Sequence, residues 1–257
     1  MSPLALSFSA QLTAFLVVYA RIGTAVALMP ALGETSYPAR VRILFSLLVT
    51  LITLPAIAPA FDNLPAPGTS DPLILFPLLA AEITIGLFFV LALRSFLAAA
   101  QIFGDKFGFY AGLSNALAPQ DGVTEGGTTV GMMIRMAVLA LILATNTHHL
   151  MLEGVVRSYQ LMPLGQPILG DMAGQMTLLV GNAFWLALLI SAPFVVYSVL
   201  GNLALGLANR VMPTMQVFFV AGPALIIVGF LVLAITAPSM IAALQEALAD
   251  WAMDPIR

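Results

Sequence analysis

Residues 209–219 read NRVMPTMQVFF, and the fold turns on how this stretch is read. Residues 172–209 before it and 211–245 after Arg210 contain no Asp, Glu, Lys or Arg. Arg210 is therefore the single charge between two apolar runs, each longer than the ~20 residues a helix needs to cross a hydrocarbon core. The proline and polar residues that follow it, Pro213, Thr214 and Gln216, favour a turn over a helix interior. Proline also suits a first helical turn, where its missing N–H costs little. The expectation is a hairpin of two long membrane-type helices, with Arg210 near its tip and Pro213 ending one helix or starting the next.

The whole chain has the same character. Of its 257 residues 61% are hydrophobic and 8% charged, against about 25% charged in soluble domains, and the mean hydropathy is +1.04. This composition is that of an integral membrane protein. In lipid the backbone must satisfy its own hydrogen bonds, so helices are the default, and the apolar runs are too continuous for barrel strands. Absence of cysteine excludes disulfides, thiol nucleophiles and thiolate metal sites. A net charge of −3, with Lys106 the sole lysine and eight scattered arginines, offers no face for nucleic acid. The opening MSPLALSFSAQL lacks a basic n-region, so the first apolar segment is expected to be retained as a spanning helix.

Working outward from the hairpin, about six long hydrophobic segments are predicted, at roughly 4–29, 42–57, 73–103, 132–156 and the two runs around Arg210. Pro193, Pro223 and Pro238 lie inside the last two, where kinks or breaks are expected. PAFDNLPAPGTSDP, residues 59–72, is the most loop-like stretch. Residues 104–131, GDKFGFYAGLSNALAPQDGVTEGGTTVG, contain seven glycines and read as a long linker. Its FGFYAGLSNAL portion is too apolar for a purely solvated connector, and a re-entrant or pore-associated loop carrying Phe107, Phe109, Tyr110, Leu113 and Leu117 is expected. Seven of the nine Lys and Arg side chains fall on linkers one, three and five with their flanking helix ends, which argues for both termini outside.

Candidate chemistry is sparse. His148 and His149, with Glu153 beyond them, share too little of a helix face to complete a metal shell, and a helix-end polar cluster is the expectation. No GxSxG, HExxH or P-loop pattern occurs. The intramembrane charges Arg21, Glu82, Arg94 and Arg135 each need a partner, a wet cavity or an interfacial depth, because a charge at mid-bilayer costs about 2.5 to 3.5 kcal/mol. Two readings follow: a secondary transporter with Glu82 and these arginines at its site, or charges paired within a packed assembly. A Ser–His intramembrane hydrolase using one of the two histidines is a third. Dense small residues, as in FLAAAQIFG (96–104) and in GNLALGLAN around Gly201, Ala204 and Gly206, favour close helix packing.

Four separated stretches resemble one family, the FliR component of the flagellar type III protein export gate and its injectisome counterparts. They are RIGTAVALMPALGETSYPARVRI (21–43), GDKFGFYAGLSNALAPQDG (104–122), NTHHLMLEGVVRSYQLMPLG (146–165) and APFVVYSVLGNLALGLANRVMPTMQVFFVAGPALIIVG (192–229). Their order matches the family's. Thr214 and Gln216 stand where the family usually has Gln and Asn. The resemblance implies an all-α polytopic fold without enzymatic activity or cofactor. It implies one copy assembled with FliP and FliQ, beside FlhB, as a channel for unfolded exported proteins in the bacterial inner membrane at the flagellar basal body. It further implies a FliP-like part over 1–165 and a FliQ-like two-helix hairpin over 170–257. The linker at about 104–130 would supply the plug of the closed pore through Gly112, Leu113, Ser114, Asn115, Ala116, Leu117 and Ala118. Arg210, Pro213, Thr214, Gln216 and Phe218 would lie at the hairpin tip and at subunit contacts.

Overall fold

In the computed structural model, residues 8–34, 36–57, 72–111, 128–167, 169–211 and 217–253 are described. Every regular element among them is helical: α1 (Phe8–Val18), a π-helical turn (Tyr19–Gly23), α2 (Thr24–Leu28), α3 (Ala39–Ile57), α4 (Pro72–Tyr110), α5 (Thr129–Ala144), α6 (Thr147–Leu161), α7 (Leu169–Val211) and α8 (Val217–Met253). Among the described residues five helical stretches are long and apolar enough to cross a membrane, and α5 with α6 adds a sixth if that bent pair is one span. The protein is thus a polytopic all-α membrane protein, as its composition requires.

Three features depart from the sequence reading. The fourth segment is a pair of helices bent by 76°, broken at Asn146, which takes a left-handed φ of 58°. Pro193, Pro223 and Pro238 break neither helix, since α7 and α8 run through all three. The third departure concerns the Gly-rich linker, whose first residues belong to α4. Phe107, placed above in a loop, is buried on that helix with Phe103 one turn before it and Ala111 one turn after. Gly104 and Gly108 have the small-xxx-small spacing that brings helices together: a Cβ on Gly104 would lie 2.8 Å from the Gly131 Cα of α5, and one on Gly108 3.1 Å from Val130. These glycines are there for close packing, not for flexibility. Gly112 to Ala118, expected above to form a plug, lie outside the described residues.

The chain divides into two compact units, one of residues 1–95, 142–180 and 249–257, the other of 96–141 and 181–248. The first unit packs α1, the π turn and α2 against α3, which also meets α6. The second is centred on Phe103, Phe107 and Phe194, with ring centroids 5.1 to 6.3 Å apart. Beside them Ala99 of α4 meets Ala183 and Ala187 of α7, the small-residue contact that the alanine-rich sequence anticipates. In the same unit α7 and α8 pair as an antiparallel hairpin. The Tyr197 hydroxyl donates to the Leu225 carbonyl, and a Cβ on Gly201 would sit 3.0 Å from Leu225. Gly206, by contrast, has open space around it.

Candidate functional site

The first unit contains a charge pair with no access to solvent. Arg21 and Glu82, both 0% exposed, meet side-on: Arg21 Nε donates to Glu82 Oε2 at 2.7 Å and Arg21 Nη2 to Oε1 at 3.0 Å. Arg21 sits in the π-helical turn, whose wider backbone re-aims the side chains of one turn relative to an α-helix. Glu82 comes from α4, one turn before Gly86. A Cβ at Gly86 would fall 2.6 Å from the Arg21 carbonyl, so glycine there lets the two backbones approach. The planar guanidinium fork matches the carboxylate in a way a lysine does not.

The rest of the fork is spent on α6. Arg21 Nη1 donates to Ser158 Oγ at 3.2 Å and to the Met162 carbonyl at 3.0 Å, just past the last turn of that helix, where carbonyls lack intrahelical donors. Ser158 Oγ in turn donates to the Val155 carbonyl at 2.6 Å. The Tyr159 ring lies beneath the guanidinium, 4.0 Å from its central carbon, a cation–π geometry. On the other side Glu82 Oε1 accepts the Gly165 N–H at 2.8 Å. Gly165 has φ +73°, the left-handed conformation that glycine adopts without strain, and a Cβ there would also strike Leu78. Both carboxylate oxygens and all three guanidinium nitrogens are engaged.

Such a site joins three parts of the chain through hydrogen bonds to both carboxylate oxygens. Replacing a whole buried pair with apolar residues is often neutral, whereas removing one partner strands a charge at a cost of about 3–5 kcal/mol. The arrangement therefore acts as a clamp on the π turn, α4 and the α6 terminus. Two of the stretches that carried the family resemblance, 21–43 and 146–165, supply Arg21, Ser158, Met162 and Gly165. Spacing alone did not single out Ser158, Met162, Tyr159 or Gly165; the Ser158 and Pro163-Leu164-Gly165 pattern was the available signal.

The other charges flagged in the sequence serve separately. Arg94 Nε donates to the Leu28 carbonyl at 3.0 Å, satisfying the end of α2. Arg135 is half-buried on α5. Arg210 is exposed in the last turn of α7, where a cation complements the helix dipole. Pro213, Thr214 and Gln216 lie outside the described residues, as does the side chain of Phe218 in the first turn of α8. Glu153 pairs with Arg157 at 2.7 Å, while the His148 and His149 rings lie against each other, 4.3 Å apart.

Fold and site together define a polytopic α-helical membrane protein whose buried charges bind its own helices to one another. The sequence profile of the family described as Bacterial export proteins, family 1, matches residues 12–251. The chain is 34% identical over 221 residues to the Flagellar biosynthetic protein FliR of Caulobacter vibrioides, covering 86% of each. It is 32% identical over 227 residues to that of Bacillus subtilis, covering 86% of this chain and 84% of the relative. With the FliR of Escherichia coli the identity is 27% over 222 residues. The chain belongs to the FliR family of bacterial export proteins.

Proposed function

We propose that the protein is a single-copy membrane subunit of the flagellar type III export gate, assembling with FliP and FliQ, next to FlhB, around the path taken by unfolded substrates. The observation that carries this is the family correspondence along residues 12–251, with relatives named as flagellar. Its place is the inner membrane at the flagellar basal body, and its role is non-enzymatic.

The apolar surface supports a subunit of a larger assembly. Of Ala221–Trp251 only Gly229, Leu244, Leu248 and Trp251 are buried within the chain, against 44% of Gln11–Leu28. Ile227, Leu231 and Ile235 of α8 and Trp185, Val199 and Leu203 of α7 are more than half exposed. Surface of this kind needs lipid or partner helices. In the proposed reading the α7–α8 hairpin is the FliQ-like module over 170–257 and the preceding 1–165 the FliP-like part. Arg210, Pro213, Thr214, Gln216 and Phe218 then lie at the tip and at subunit contacts, and Gly112 to Ala118 plug the closed pore.

The buried Arg21–Glu82 pair weighs against a transporter built on Glu82, both of whose oxygens already accept hydrogen bonds from the chain itself. Purification of the tagged protein from its native membrane tests the assembly: recovery in a fixed ratio with two other small membrane proteins is expected. A stable monomer that supports export alone would contradict it.

A further inference from the structure

Beside the aromatic core of the second unit lies an apolar groove of about 220 Å³ that the core does not fill. Four helices line it: Phe103 of α4, Ile134 and Val138 of α5, Ile190 of α7, and Ala237 and Leu244 of α8. Phe103, Ile190 and Leu244 form a buried floor, while Ile241 stands exposed at the rim. A dry cavity of about 150 Å³ with aliphatic walls already accepts a benzene-sized guest, so the space suits a slender apolar group. A helix, about 10–12 Å across with its side chains, is a much bulkier object.

The two ends of the groove differ in charge. α4 and α5 run antiparallel, with Gly104 against Gly131 and Ile134, and Gly108 against Val130. Lys106, exposed one turn beyond Phe103 on α4, and Arg135, next to Ile134 on α5, therefore flank the same end. Asp105 is the acid beside them, and its Oδ1 already accepts the Thr128 N–H and hydroxyl. α8 enters at this end too, since a Cβ on Gly229 would lie 3.3 Å from that of Ala111. It reaches Leu244, and the exposed Glu246 just beyond it, toward the other end.

We infer that the groove holds one acyl chain of an anionic phospholipid, with the phosphate at the Lys106–Arg135 end. A guanidinium binds phosphate through paired N–H donors and an ammonium binds it as a point charge. Long basic side chains also reach headgroup level while their stems lie along apolar surface. The basic end is the one that the Lys and Arg distribution assigns to the inside, where the leaflet surface is negative. An apolar side chain from a partner subunit would fill the groove and leave this charge asymmetry without use. A zwitterionic lipid would do the same with the excess of two bases over one engaged acid.

The test uses the full protein, purified from its native membrane with the subunits that accompany it and placed in phosphatidylcholine nanodiscs. A trace of phosphatidylglycerol, or of phosphatidylcholine with the same chains, carries a photoreactive group on one acyl chain, and crosslinked residues are mapped by mass spectrometry. Labelling is expected at Val138, Ala237 and Ile241, about tenfold stronger from phosphatidylglycerol, the scale of two bases partly offset by one acid. Lys106→Gln is expected to cut that preference to about threefold. Ala137→Leu with Ala237→Leu fills the groove and is expected to abolish labelling there, while that of the exposed Trp185 and Val199 on α7 is unchanged. Should the double variant not fold, Ala137→Leu at the exposed rim takes its place, with labelling at Val138 reduced. Equal labelling by the two lipids overturns the inference, as does a filled groove that labels like wild type. Labelling spread evenly over the groove and Trp185 marks bulk lipid and overturns it too. A groove left unlabelled while Trp185 is labelled is one covered by a partner subunit, which also overturns it.

Discussion

Around Arg21 the interior is polar and directional, whereas around Phe107 it is apolar and held by shape. In the first case a guanidinium and a carboxylate without solvent access are matched atom by atom to each other, to Ser158 and to backbone groups at Met162 and Gly165. In the second, Phe103, Phe107 and Phe194 interlock beside glycines and alanines that let helices close up. The difference matters in a membrane, where water no longer drives apolar surfaces together and helices associate through close packing and hydrogen bonds. One unit relies mainly on the second device and the other mainly on the first.

The contrast can be broken by substitution. The largest effect is expected from Glu82→Leu, which strands the Arg21 charge in a dry site and lowers stability by about 3–5 kcal/mol. Unfolding of the purified protein in mixed micelles reads this directly, and a loss under about 1 kcal/mol would mean that Arg21 behaves as a solvated surface charge. Phe107→Ala follows, expected near the low end of the roughly 3–5 kcal/mol range for deleted core aromatics, since it orphans no polar group. Gly104→Ala should cost about 1–3 kcal/mol by pushing α4 away from Gly131; a neutral result would mean the helices can part without penalty. Arg210→Ala sharpens the comparison from outside both interiors. Its unfolding curve should shift by no more than about 1 kcal/mol, the reach of an exposed helix-end charge, while the yield of complex with partner subunits falls; an unchanged yield would remove Arg210 from the subunit contacts.

Much of this organisation could be read from the sequence, and the exceptions have physical causes. The α7–α8 hairpin followed from one charge and one proline between two uncharged runs, because lipid leaves a chain few ways to interrupt a helix. That Arg21 and Glu82 needed partners followed from the cost of burying charge. That they partner each other did not, since 61 residues separate them and the π turn that aims Arg21 has no sequence mark in YARIG. The Gly104–Gly108 stretch reads equally as a loop, because glycine density signals flexibility and close packing alike. The four-residue period, together with Phe103 and Phe107 in the same register, is what separates them. The bend at Asn146 had no proline to announce it; only the left-handed tolerance of asparagine fits it.

The central claim is that the buried charges of this export protein hold helices in place and do not themselves carry traffic. Secretion of a flagellar substrate into the medium by cells carrying Arg21→Met together with Glu82→Leu tests it most directly. A buried pair replaced as a whole by apolar residues of similar volume is often near neutral. The account predicts that the double variant assembles and secretes far better than either single variant. A double variant that assembles at the wild-type level yet secretes nothing would show that the charges themselves are required for export, and would contradict it.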